Sequence, residues 1–471
     1  MSSQAENSAG KAVDSIQQHL ASYAAALRYD ELPPEVVHTT KARIIDTLGI
    51  LIGGFFGEPC RITRDIAAQA PAAHGASIIG TRMKASADLA AFVNATTSRY
   101  LEFSDVYHWP GSTHGHPSDV IMPVLAGAEL GRASGRDFIA GVVLGYEVYC
   151  RIADVFHNSS SFDSTNFSTL ASAVAAGKML GLTEEQLAHC ISMAVVPNVI
   201  LRQVRRDHLS MWKEVAAGQA GRAGVFAAML ARAGMEGPHL PFEGKAGWCE
   251  HVARERFTLG AMGGRGATFK MLDTWIRHRP CMSEMIASIL ASEKIAPLSD
   301  VDGVQRILVE TNSYAIRTVG STAARPVWTP DTREIADHSI PYVVAATLLD
   351  GTLGLRSFDD AHLWNPRLRT LLPKIEIVEN EEFTRAYKQS PRVHYGRVTV
   401  FMANGENKVG NSGGGADDLA SPKTDAQISE KFRSLSEDFL GSKRVNGVLE
   451  RLWNLDAMAD IKEIPTALVI D

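Results

Sequence analysis

A chain of 471 residues with 45% hydrophobic and 21% charged side chains can build a large core, which excludes global disorder, and its length suggests two or three domains, of which we take two. The formal net charge of −6 provides no domain-wide basic excess, which argues against nucleic acid or an acidic membrane as partner, so any bound anion must meet a local cluster of cations. Cys60, Cys150, Cys190, Cys249 and Cys281 are odd in number, widely spaced and free of a CxxC pair, and so read as reduced, buried thiols of a cytoplasmic protein.

The first residues, MSSQAENSAGKAVDS, lack the basic start and apolar centre of a secretory signal and read as a frayed tail. From Val13 to about Leu259 apolar residues recur at helical steps nearly throughout. Pro33 and Pro34 open a helix running through Val37, Ala42, Ile45 and Leu48, since proline suits a first turn. Its apolar end, Leu48 to Phe56, is half what a membrane helix needs and carries Gly49, Gly53 and Gly54. Further helices are expected over 86–100, 119–131, 137–153, 165–180 and 183–195, the last with Thr183 as N-cap before Glu184 and Glu185. Ser210 to Gly234, rich in Ala and Gly, reads as a buried central helix that neighbours approach closely.

Gly263, Gly264 and Gly266 mark a break, after which strands are expected over 304–310, 374–378 and 397–402, the last closed by Ala403-Asn404-Gly405. Helices over 283–294 and 337–349 lie among them, and a Gly-rich link is expected over 410–415 before helices return over 425–440 and 445–453. The expected organisation is a mainly α protein: a helical domain from residues 1–267 and 403–471, with a smaller α+β unit over 268–402 between its parts.

Chemistry concentrates in Leu101 to Val120, LEFSDVYHWPGSTHGHPSDV, where Pro110, Gly111 and Pro117 stop any helix. Asp105 and His116 are the acid and base candidates, and Asp119 reads as orienting the loop. His114 and His116 could begin a metal set with Asp105, His108 or Asp119, but no HExxH or helical i, i+4 pair supports it, so no metal is expected. LRQVRRDHLSMWK at 201–213 supplies Arg202, Arg205, Arg206, His208 and Lys213, suited to a substrate with several carboxylates. Lys213 stands out because Trp212 and the run Ala216, Ala217, Gly218 surround it, whereas Arg205 and Arg206 read equally well as a solvated face. Asp163 precedes a helix and could cap it. Arg277 sits in a cation group before Pro280, and Asp337 and His338 read as bracing the helix that contains Tyr342.

ARIIDTLGILIGG at 42–54, the Asp105 loop ending in HPSD, LSMWKEVAAGQAGRAGVFAAMLARAG at 209–234 and ADHSIPYVVAATLLDG at 336–351 together resemble the MmgE/PrpD family over nearly the whole chain. The resemblance implies a large all-helical domain made from both chain ends with an inserted α+β lid, and a homodimer needing no metal or organic cofactor. It also implies chemistry beside a carboxylate of di- or tricarboxylic acids. Motif matching carries the family's active-site positions to Asp105, His116, Lys213 and Arg277; Asp105, His116 and Lys213 are the expected catalytic residues, and Arg277 with His108, Arg202, Asp163 and Tyr342 forms the expected substrate-binding set. Three departures stand out. Phe162-Asp163 replaces the Gly-aromatic-His of decarboxylase-like members, Val106 stands where relatives often carry threonine, and arginine replaces a common lysine at Arg277. The reaction expected is dehydration of a 2-methylcitrate-like hydroxy tricarboxylate. Epimerisation or decarboxylation of a relative such as iminodisuccinate or cis-aconitate is the alternative, and a carboxylate-binding or assembly protein without turnover is the rival class.

Overall fold

The structure, a computed structural model, describes residues 12–415 and 418–470, so the tail reading falls outside it as far as Lys11. The chain is mostly helical with small sheets. Helices form at Pro34–Gly54, Ala87–Arg99, Ile121–Gly131, Gly135–Val155, Thr165–Met179, Glu184–Val195 and Trp212–Arg232, close to the spans read from periodicity. Thr183 accepts from the amide of Gln186 and Pro34 occupies a first turn, so both start signals act as their chemistry requires. All five cysteines are free and buried. Among the described residues no helix is long and apolar enough to cross a membrane.

Apolar side chains gather mainly into two cores. The larger takes residues from Ile16 to Ile276 and again from Ile428 to Leu468. The second takes residues from Trp275 to Leu419, together with Val106. The helix Asp425–Leu440 lies against Pro34–Gly54, where glycine permits the approach: a Cβ at Gly53 would stand 2.9 Å from Leu435 Cδ2. The central helix Trp212–Arg232 packs between Ala87–Arg99 and Thr165–Met179, and a Cβ at Gly218 would meet Thr96 Oγ1 at 2.2 Å.

A four-stranded sheet runs through the second core in the order Ile375–Glu379, Val304–Thr311, Gly396–Met402, Asn407–Ser412. The first pair is parallel and the other two antiparallel. The fourth strand corrects the sequence reading. Gly410, expected in a flexible link, pairs with Val398, so the sheet runs ten residues past position 402. There a Cβ would stand 1.9 Å from the Ala291 carbonyl, so glycine marks a close backbone approach rather than slack. The first half is also less purely helical than its pattern, since Pro71–Ser77 pairs antiparallel with Lys84–Ala85. The polar loop joins the two cores: Val106 and Trp275 exchange backbone hydrogen bonds of 2.9 Å in both directions.

Candidate active site

The polar loop is a folded device. Tyr107 and Gly115 form an antiparallel bridge, which sets His108 and His114 opposite each other with ring centroids 4.6 Å apart and planes 18° from parallel. Gly115 has no space for a side chain, because a Cβ would meet the Tyr149 hydroxyl. Pro117 then starts a 3-10 turn that leads into Ile121–Gly131. His116, just before that turn, approaches the Asp105 carbonyl with Nδ1 at 2.6 Å. Only a protonated Nδ1 satisfies that contact, which leaves the lone pair of the neutral ring on Nε2.

His116 faces a cavity of about 540 Å³. Eight cationic side chains line it: Arg99, Arg202, Arg205, Arg206 and Lys213 from the helical half, and Arg317, Arg325 and Arg392 from the part of the chain that forms the sheet. Among the described residues only Glu102 and Asp207 oppose them, so the interior suits a polyanion. Arg392 also lines a second cavity of about 600 Å³, but there Asp273, Asp418 and Asp425 balance Arg43, Arg392 and Lys423. Charge therefore selects the first cavity, although it is the smaller.

Glu102 is the hub. Its Oε1 accepts from Arg277 Nη1 at 2.7 Å and lies 3.8 Å from His116 Nε2, while Oε2 lies 3.3 Å from Lys213 Nζ and 3.6 Å from Arg99 Nη2. Burial opposes its charge, but Lys213, Arg277 and Arg99 outweigh burial and hold the carboxyl well below its ordinary range. Its φ of +47° is a strained conformation for a residue with a side chain, at a cost of about 1 kcal/mol or more. The cations gathered on the carboxylate supply the compensation.

Lys213 begins the central helix and is buried to 1% exposure. Its ammonium lies 3.1 Å from Asp337 Oδ1, 3.1 Å from Glu214 Oε1 and 3.3 Å from Glu102 Oε2. Burial works against that charge, and Asp337, Glu214 and Glu102 more than offset it, raising the pKa. For Glu214 burial dominates and pushes the carboxyl up to about 7. His116 is driven well below the usual imidazole range by burial and then by Arg99 and Arg277. It is therefore a neutral base at physiological pH.

Of the residues singled out from sequence, His108, His116, Arg202 and Lys213 line this cavity. The others sit differently. Asp105 is sealed behind it: Oδ1 accepts from the Ser118 amide at 3.1 Å, Oδ2 lies 3.9 Å from Arg43 Nε, and its carbonyl holds His116. A carboxylate so enclosed orients the base and does not reach a ligand in the cavity. Asp163 is fully buried and holds Arg202 at 3.0 Å and Arg205 at 2.9 Å through one oxygen, so it aims two cations from behind. Arg277 is likewise enclosed, donating to Glu102, the Ser104 carbonyl and the Cys281 carbonyl. Tyr342 belongs to the second core. Its hydroxyl donates to the Ser357 carbonyl at 2.5 Å, it stacks on Phe358, and it does not line the cavity.

Sequence reading passed over Glu102 in favour of Asp105, three residues away, because composition does not tell which acid of a loop faces inward. It treated Asp337 and His338 as braces, yet Asp337 holds Lys213, and His338, lowered to about 4 by burial and then by Lys213, lines the cavity. Arg317, Arg325 and Arg392 carried no sequence signal, being scattered through the second half. Lys431 closes the arrangement from the helix Asp425–Leu440, donating to the Phe103 and Arg277 carbonyls at 3.0 and 2.8 Å and pairing with Asp46 at 2.7 Å.

His108, His114 and Glu284 bring three ligand atoms within 4.8 Å of one another. Two nearly parallel stacked rings direct their lone pairs in separate planes, so this cluster does not converge on one ion as a His/His/carboxylate metal site must.

A family model described as the MmgE/PrpD N-terminal domain matches residues 18–259, and one described as the MmgE/PrpD C-terminal domain matches residues 279–455. The chain is 26% identical to cis-aconitate decarboxylase of Homo sapiens over 96% of this chain and 94% of that protein. It is 26% identical to the mitochondrial 2-methylcitrate dehydratase of Yarrowia lipolytica over 84% and 78%, respectively. For the 2-methylcitrate dehydratase of Salmonella typhi the identity is 25%, over 84% and 85%.

Proposed function

Because the chain belongs to the MmgE/PrpD family, we propose that it is a cofactor-independent hydro-lyase that removes water from a 2-methylcitrate-like hydroxy tricarboxylate. The observation that carries this reading is the meeting of a neutral His116, a shared Glu102 and the buried ammonium of Lys213 in a cavity whose other cations are arginines. A proton beside a carboxylate is weakly acidic, so its removal needs both a base and fixed positive charge for the enolate that develops. His116 Nε2 is the base. Lys213, with Arg99, Arg202 and Arg205, anchors the carboxylates and stabilises the enolate; Asp105, Asp163 and Arg277 hold these groups in place. The reading extends to a cytoplasmic homodimer and takes the sheet-bearing segment as an inserted lid, supported by the two cores and by cavity cations drawn from both halves of the chain.

Decarboxylation of cis-aconitate is the second reading, favoured by the relative whose alignment spans 96% of this chain. One panel separates them: 2-methylcitrate, citrate, cis-aconitate and iminodisuccinate, followed by ultraviolet absorbance for unsaturated product and by NMR for proton exchange and carbon loss. Dehydration of 2-methylcitrate, abolished by His116→Ala in a folded protein, is the expected result. Carbon loss from cis-aconitate without dehydration selects the second reading, and ligand-induced stabilisation without any product selects a binding protein.

A further inference from the structure

Elimination of water needs two proton transfers, one from carbon and one to the departing oxygen, and His116 supplies the first. Asp105 is enclosed, and Glu102 is pinned as an anion by Lys213, Arg277 and Arg99, so neither gives up a proton readily. We propose that His108, oriented by Glu284, is the catalytic acid that protonates the leaving hydroxide. The inference rests on the dehydration reading and adds a residue to it.

Three imidazoles line one side of the cavity in a row, His108, His114 and His116, with neighbouring centroids 4.6 and 5.5 Å apart. A carboxylate stands at each end: Glu284 Oε1 is 3.5 Å from His108 Nδ1, and Glu102 Oε1 is 3.8 Å from His116 Nε2. The two end histidines flank His114 on the lining of the same cavity, so one small molecule held there meets both. His108 is buried against the rings of Tyr314 and Tyr387, which fix its plane. Nδ1 lies within ion-pair range of Glu284 without a hydrogen bond to it, so the imidazolium carries its other N–H on Nε2. Between the two, His114 Nε2 is buried without a hydrogen-bond partner, a cost that a ligand oxygen would remove.

The step balances. His116 Nε2 takes the proton from carbon, and the C–H pair becomes the new C=C bond. The C–O pair leaves on oxygen, which receives the proton of the His108 imidazolium and departs as water. Burial lowers the pKa of His108 in the free site and Glu284 opposes this, while Arg392 and His394 act in the same direction as burial. A bound tricarboxylate adds negative charge beside the ring, and so the imidazolium is the form that substrate selects.

Fluoride leaves carbon without being protonated, so an analogue of 2-methylcitrate carrying fluorine in place of the hydroxyl bypasses the acid but not the base. His108→Asn should slow water elimination from 2-methylcitrate by about 100-fold or more while keeping fluoride release from the analogue within about threefold of the unsubstituted protein. Glu284→Gln should fall between the two on water and be equally silent on fluoride, as a positioning residue would. Retained fluoride release also reports that each variant is folded. Loss of both reactions together, or of neither, in His108→Asn overturns the proposal. If the unsubstituted protein eliminates neither water nor fluoride, the dehydration reading itself has failed, and that outcome appears before any variant is made.

Discussion

Replacing Lys213 with methionine removes a cation that Glu102, Glu214 and Asp337 share at 3.1 to 3.3 Å. Methionine fills similar space, so the effect isolates the charge. Three buried carboxylates remain, and Arg277 and Arg99 still serve only Glu102 among them. Breaking a buried pair by deleting one partner costs about 3–5 kcal/mol, which is a large fraction of a typical stability of about 5–15 kcal/mol. The pH dependence is the sharper test. Lys213 itself adds no slope between pH 5 and 8, because its raised folded pKa lies above an unfolded value near 10.4 and it is charged in both states throughout. The carboxyls behave oppositely. Burial pushes the Glu214 carboxyl up to about 7 in the folded protein, and losing Lys213, which opposes that push, raises it further. A carboxyl whose folded pKa exceeds its unfolded value near 4.3 loses stability as pH rises through that window. Lys213→Met should therefore melt well below the unsubstituted protein at pH 8, and the gap should narrow towards pH 5 as Glu214 protonates. Thermal melting across that range, with 2-methylcitrate turnover measured in parallel, checks it. A gap of equal size at both ends, or a variant that melts like its parent at pH 8, would show that the ammonium does not neutralise these acids.

Asp163→Asn weakens the charge-assisted bonds that aim Arg202 and Arg205, each worth about 1.5–3 kcal/mol, so tricarboxylate KM should rise roughly tenfold or more with a smaller change in kcat. Steady-state kinetics separates the two terms. Tyr342→Phe removes the hydroxyl's contacts with the Ser357 carbonyl and His362 Nδ1 and should cost about 1–2 kcal/mol of stability while leaving kcat/KM unchanged, read by denaturation and turnover on one preparation.

Position along the helical half was legible because burial there repeats with the 3.6-residue turn: Trp212–Arg232 shows its small-residue packing directly in Ala216, Ala217, Gly218, Ala220, Gly221 and Gly224. Lys213 was legible for a related reason, since a charge inside such a run needs partners. The Gly410 strand was not, because its pairing with Val398 and its contact with Ala291 are made by residues distant in sequence. In the loop, residue types announced acid-base chemistry, yet the choice between Glu102 and Asp105 turned on a backbone detail: a left-handed φ at Glu102 and the capture of Asp105 by the Ser118 amide.

Taken alone, the sequence determined a reduced, mostly helical chain whose proton-transfer groups and cations lie in two separate stretches, because composition, periodicity and turn chemistry are local properties. Tertiary structure decided which of those groups share a cavity. Glu102 reaches Lys213 across more than a hundred residues, Asp337 reaches it from still further on, and Glu284 meets His108 from the other half of the chain. Electrostatic work depends on distance and burial, and neither is fixed until the elements that carry these charges have packed against one another.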